Sequence, residues 1–96
     1  MSIYQRLRSR HMDRCPVLIE CSDSKVPRLK KKKLLVPFDL TFGQLMYTVR
    51  QQFEMDPSYG IFMMVDGVMV NSGDTIREHD TGSVVVVTLC CEYTFG

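Results

Sequence analysis

The stretch Lys30-Lys-Lys-Lys-Leu-Leu-Val-Pro-Phe-Asp-Leu-Thr-Phe-Gly-Gln44 joins a row of cations to a short apolar run and then to a helix start. A nucleic-acid patch needs no apolar partner, and a core strand needs no lysines. Lys31 to Val36 reads as a strand, closed by Pro37, which has no amide hydrogen to donate. Thr41 and Gln44 have capping-box spacing, in which each side chain satisfies the other's orphan backbone amide. Phe42, Leu45, Met46, Val49 and Phe53 then recur at helical offsets, so the helix has one apolar face. It is predicted to end near Glu54, because Pro57 steers Asp56 out of helical geometry. Gly43 weakens the first turn and predicts close packing of the helix against the sheet.

Upstream, Pro16 to Cys21 is rich in branched residues and reads as another strand, followed by a polar loop over Ser22 to Leu29. Ahead of it, Ile3, Tyr4 and Leu7 are interspersed with arginines up to His11. That pattern predicts a short amphipathic helix, marginal unless it docks. Downstream, Ile61 to Val65, Asp66-Gly67 and Val68 to Val70 form a hairpin pattern, with Asp-Gly supplying the positive-φ turn. Asn71 to Asp74 reads as a second turn. Val84 to Leu89 is too continuous and too β-branched for an edge and predicts a buried strand. The order strand, strand, helix, strand, short strand, strand lets the helix cross one face of a mixed sheet, with the last strand inserted beside the first. That arrangement is an α+β fold, the β-grasp or ubiquitin-like roll. The expected organisation is a helical segment over residues 1–14, the domain over 15–90 and a tail without periodicity over 91–96.

A chain of 96 residues has room for one modest core. Apolar residues at 45% and charged residues at 24% describe a globular protein, not a disordered one. The net charge of +1 hides an asymmetry. Ten Lys/Arg against three Asp/Glu from Met1 to Lys33 leave +7, and two against eight from Leu34 to Gly96 leave −6. The basic third suits acidic peptides, phosphates or anionic lipid. No apolar run approaches the ~18–20 residues of a membrane span, and the first residues lack a secretory h-region. A cytosolic chain with reduced thiols is therefore expected. Cys15, Cys21, Cys90 and Cys91 include no C-x-x-C pair, and a zinc site built from them with His11 lacks the usual spacing. Structural thiols, with no metal and no cofactor, are the expectation.

Lys31-Lys-Lys-Leu-Leu-Val-Pro37, Asp39-Leu-Thr41 and Gly43-Gln44 resemble the signature of the GABARAP-type autophagy modifiers, the autophagy-related protein eight family. Asp13-Arg14, Pro16-Val17 and Glu20 match the segment upstream of that signature. Thr94-Phe95-Gly96 is similar to the aromatic-glycine ending of processed members. The resemblance implies a ubiquitin-like modifier, not an enzyme, joined through Gly96 to phosphatidylethanolamine, with Phe95 read by the processing and conjugating enzymes. The implied partners are activating-like and conjugating-like enzymes, a deconjugating cysteine protease, phosphatidylethanolamine membranes, and cargo receptors carrying an aromatic-x-x-aliphatic motif. The implied location is the cytoplasm, and the autophagosomal membrane after conjugation.

Carried over residue by residue, the resemblance lines a first peptide pocket with Pro16, Leu18, Lys33 and Leu35, with Val84 where the family has a phenylalanine wall. A second would use Leu34, Val36, Pro37, Leu40 and Leu45, with Arg50 near it and Thr48 in place of a leucine. Arg14 and Lys31 fall where the family meets acidic residues flanking the motif. The chain begins where the family's second helix begins. Between Ile76 and Ser83 it is roughly five residues short of the family pattern, so a late helix is expected to shrink to a turn.

Lysines on an edge strand also guard against unwanted strand pairing. That role leaves the neighbouring Leu-Leu-Val-Pro unexplained, whereas strand addition uses backbone bonds, apolar pockets and flanking charge together. Three other functions fit fewer features. A basic surface for nucleic acid or anionic lipid would carry more interleaved aromatics than Tyr4 and Phe38 if it stacked bases, so no nucleic-acid partner is expected. Asp80-Thr-Gly-Ser83 resembles the loop of retroviral-type aspartic proteases, but too little chain follows it to complete such a lobe, and a hairpin turn is expected there. A modifier of the autophagy-related protein twelve type, joined to a protein lysine, ends similarly but does not account for the Lys31–Pro37 segment.

Overall fold

The computed structural model describes residues 2–21, 31–52 and 60–92, with the side chains of Lys31, Cys91 and Glu92 outside that description. A first helix, α1 (Ile3–Arg10), leads into β1 (Arg14–Cys21) and β2 (Lys31–Pro37). Then come α2 (Phe42–Gln52), the hairpin β3 (Gly60–Val65) and β4 (Val68–Met69), a 3-10 turn at Ile76–His79, and β5 (Val85–Glu92). The strands form one sheet in the order β2-β1-β5-β3-β4. β1 runs antiparallel to β2 and parallel to β5, while β3 is antiparallel to β5. This is the expected β-grasp, with the last strand inserted beside the first and β2 at an edge.

Each element follows from a local cause. The Thr41 amide donates to Gln44 Oε1 at 3.0 Å and the Gln44 amide to Thr41 Oγ1 at 3.2 Å, which is the predicted capping box. Ser2 and Gln5 make the same reciprocal pair at the start of α1, a signal present in the sequence but not used there. Asp66 and Gly67 take φ of 53° and 77°, so Asp-Gly turns the hairpin as expected. The 3-10 turn at Ile76–His79 stands where a shortened late helix was predicted.

Alternation along the strands builds the core. Cys15, Val17 and Ile19 of β1, Val36 of β2, Met63 and Val65 of β3, and Val85, Val87 and Leu89 of β5 are buried on one face. Phe42, Leu45 and Val49 of α2, with Ile76, close over them. Each such side chain contributes about 1.5–3 kcal/mol by leaving water.

Three expectations need correction. Gly43 does not approach the sheet; it abuts the Asn71–Asp74 turn. A side chain there would come within 3.1 Å of the Ser72 carbonyl oxygen. That carbonyl accepts the Gly43 amide and the Asp74 carbonyl accepts the Phe42 amide, each at 2.9 Å, so the turn satisfies two of the orphan donors of α2. Second, β5 continues through Cys91 and Glu92, paired with Ile61 and Gly60, although both were expected to belong to the tail because they show no periodicity. Third, β5 opens at Val85, with Val84 just ahead of it. The loop over Ser22 to Leu29, Phe53 and the helix end near Glu54 lie outside the described residues, as do Phe95 and Gly96.

Candidate functional site

Paired residues in a sheet share a face, so register decides which predicted contacts come together. Pro16 pairs with Leu35 and Leu18 with Lys33, which gathers all four on the side of β2 away from the core. Val86 sits beside Leu18 on the same side, and Val84 is half-buried two residues before it. Leu18 and Leu35 are half-buried and Lys33 is exposed, whereas Pro16 is fully enclosed. The first expected pocket is therefore a contiguous patch with a proline floor. Tyr4 of α1 also belongs to it, with its ring centre 6.0 Å from Lys33 Nζ. Sequence reasoning missed Tyr4; the Ser2–Gln5 capping box fixes the register of α1 and was the available signal.

The second expected pocket divides. Leu34 and Leu40 are half-buried against the core and Pro37 is exposed. Leu45 is 0% exposed and Val36 only 8%, so both are core residues. Their burial corrects the expectation that their side chains form an exposed wall. Arg50 and Thr48 are half-buried on α2, Arg14 is exposed at the start of β1 opposite Pro37, and the Lys31 backbone pairs with Glu20. A separate concavity of about 280 Å³, lined by Phe42, Met46, Ile61, Met63 and Val70 among others, contains none of the predicted contact residues.

The loop after β2 is held by long-range contacts. The Phe38 carbonyl accepts the Arg77 amide and the Leu40 carbonyl accepts the Ile76 amide, each at 2.9 Å. Two guanidinium groups lie over the Phe38 ring, Arg8 at 5.6 Å and Arg77 at 5.0 Å from its centre. Arg8 also grips Asp80 through both oxygens, at 2.9 and 3.0 Å, and reaches the Ser83 carbonyl at 3.3 Å. That fork fastens α1 to the segment before β5 and so sets the wall containing Val84.

Arg8 holds the Asp80 carboxyl below the usual carboxylate range, chiefly through this hydrogen-bonded pair, and Asp80 in turn raises the Arg8 guanidinium. Burial pushes the adjacent Cys15 thiol up. Asp80 Oδ1 also accepts the Gly82 amide at 3.0 Å, with Gly82 at φ 89°. Asp80-Thr-Gly-Ser83 is thus the expected turn, and a carboxylate held ionised by a guanidinium fork is poorly suited to share a proton.

The depressed Asp80 value means a stabilising contribution that is present above the unfolded pKa near 3.9 and is lost as pH falls through the lower folded value. Asp80→Asn is expected to cost about 1.5–3 kcal/mol at neutral pH and to flatten the loss of stability between about pH 5 and pH 2. Urea unfolding across that range checks both. Parallel curves for wild type and variant would remove the pair from the stability of the fold.

The strand order β2-β1-β5-β3-β4 with α2 closing over one face defines a ubiquitin-like domain. The family model described as "Autophagy protein Atg8 ubiquitin like" matches residues 2–96. Autophagy-related protein 8e of Arabidopsis thaliana is 36% identical over 97 residues, covering 95% of this chain and 80% of the relative. Autophagy-related protein 8 of Mycosarcoma maydis is 37% identical over 98 residues, with 96% and 83% covered. The crystal structure of Trypanosoma brucei ATG8 superposes with a TM-score of 0.80 at 26% identity, over 97% of this chain and 85% of that one. The chain belongs to the Atg8 family of ubiquitin-like autophagy proteins.

Proposed function

We propose that this protein is a membrane-linked adaptor of autophagy, joined through Gly96 to phosphatidylethanolamine and recruiting receptors by strand addition at β2. It acts as the carried modifier while separate activating and conjugating enzymes supply the chemistry. The observation that carries the recruiting half is the edge itself: β2, paired on one side only among the described residues, carries half-buried Leu35 and exposed Lys33, with half-buried Leu18 of β1 beside them. An aromatic side chain would lie on the Pro16–Leu35 patch and an aliphatic one between Leu34 and Leu40. Backbone bonds to β2 would join the two, and acidic flanks would meet Lys33, Lys31 and Arg14.

Two buried side chains at ~1.5–3 kcal/mol each and a few backbone bonds at ~0.5–1.5 kcal/mol exceed an association cost of several kcal/mol by enough for an affinity on the order of micromolar. Leu35→Ala is expected to raise Kd for an acid-flanked aromatic-x-x-aliphatic peptide about tenfold, with little change in melting temperature. Lys33→Glu is expected to slow association at low salt and to matter less at high salt. Titration by NMR with both variants tests the reading. Shift changes that avoid β2 and leave Leu35→Ala at wild-type affinity would overturn it.

A further inference from the structure

The far side of the sheet, away from the β2 edge, gathers sulfur. Phe62 pairs with Cys90, Met64 with Thr88, and Met69 with Met64. Met63 and Val65 take the core face, so these alternate residues stand together on the opposite one. The Cys90 thiol donates to the Met64 thioether at 3.6 Å. Both side chains are half-buried, and Met69, directly across from Met64, is 61% exposed.

We propose that Cys90, Met64 and Met69 form a binding site for a soft monovalent metal ion, Cu(I). Two sulfurs 3.6 Å apart subtend about 100° at an ion with metal–sulfur bonds of about 2.3 Å, which is an ordinary angle for a three- or four-coordinate centre. Directly opposed strand residues have Cβ atoms about 4.5–5.5 Å apart, and methionine has three rotatable bonds. Met69 can therefore close the third position without moving the backbone. Its exposure leaves an entry path, while Phe62 across from Cys90 provides an apolar flank.

The donor set selects the ion. Thioethers and a thiolate favour Cu(I), and hard cations need oxygen. Structural zinc needs four nitrogen, sulfur or carboxylate donors, and no cluster of three His, Cys, Asp or Glu occurs among the described residues. Binding is a ligand exchange without a redox step. The Cys90 S–H bond breaks and the proton goes to buffer, the thiolate and two thioethers bond to copper, and the carrier's own ligands leave.

The test is anaerobic titration of the full chain, under reducing conditions, with Cu(I) held as its coloured bicinchoninate complex. Wild type is expected to withdraw one equivalent of copper, with X-ray absorption reporting sulfur neighbours only. Met64→Leu and Met69→Leu conserve volume and should remain folded. Each is expected to weaken copper transfer by at least the ~10-fold that loss of even an outer partner costs a metal site, and Cys90→Ser by more. Cys21→Ser should match wild type, and Zn(II) should not compete. Failure of wild type to withdraw copper, or undiminished binding by Met64→Leu/Met69→Leu, overturns the proposal.

Discussion

Leu45→Ala is expected to lower the free energy of unfolding by about 2–5 kcal/mol, the largest stability effect of any substitution considered for the edge-strand site. Leu45 is fully enclosed, lying between Phe42 and Val49 on the apolar face of α2 and packed with the β-strand core. Truncation removes most of an apolar side chain and leaves a cavity that a helix pinned at its start by Thr41, Gln44 and the Ser72 carbonyl cannot easily fill. Domains of this size have a total stability of only about 5–15 kcal/mol, and each kcal/mol is worth roughly 4–8 °C. A fall in melting temperature of about 10 °C or more should follow. Urea unfolding should show a lower midpoint at unchanged slope, while peptide affinity measured well below the midpoint stays near wild type. Leu35→Ala should do the reverse. A Leu45→Ala protein that melts normally but loses the peptide would return Leu45 to the wall of the site.

That contrast marks where the sequence was legible. The strand over Lys31 to Val36 and the capping box at Thr41 are local signals, and both form, with the strand including Pro37. The Asp66-Gly67 hairpin and the branched run before Cys90 are equally local, and their register put β5 in the centre. Leu45 was read both as part of the apolar helix face and as a pocket wall. The spacing from Phe42 to Val49 favoured the core, because Leu45 lies at the middle of that face.

What escaped was long-range. Nothing near Gly43 announces Ser72, and Arg8 and Asp80 are 72 residues apart. The same holds for Phe38, whose two guanidinium partners come from α1 and the 3-10 turn. Cys91 and Glu92 were assigned to the tail because no periodicity continues there, yet β3 offers Ile61 and Gly60 as partners. Tertiary pairing extends a strand beyond what its own residues suggest.

Deletion of Gly96 is expected to abolish membrane attachment altogether while leaving the domain and its peptide site intact. The core residues among those described run from Cys15 to Leu89, so the deletion removes none of them. Under the proposed chemistry the activating enzyme first joins the Gly96 carboxylate to the adenylyl group of ATP, releasing pyrophosphate. An enzyme cysteine then displaces AMP to form a thioester, and the amine of phosphatidylethanolamine displaces that thiol to form the amide. Glycine suits that passage because it has no side chain to block a narrow catalytic channel, and without it the reactive carboxylate would belong to Phe95. No helix among the described residues is long and apolar enough to cross a membrane. The conjugate would gain two acyl chains, each buried methylene contributing about 0.8 kcal/mol, where a single chain anchors only marginally. Reconstituted conjugation followed by liposome flotation tests this. Wild type should float with vesicles containing phosphatidylethanolamine and remain at the bottom with vesicles lacking it. The deletion variant should remain at the bottom in both cases, yet bind the acid-flanked peptide as wild type does. Equal flotation of the deletion variant would mean that Gly96 is not the point of attachment. Loss of peptide binding in that variant would mean that the tail also supports the β2 edge.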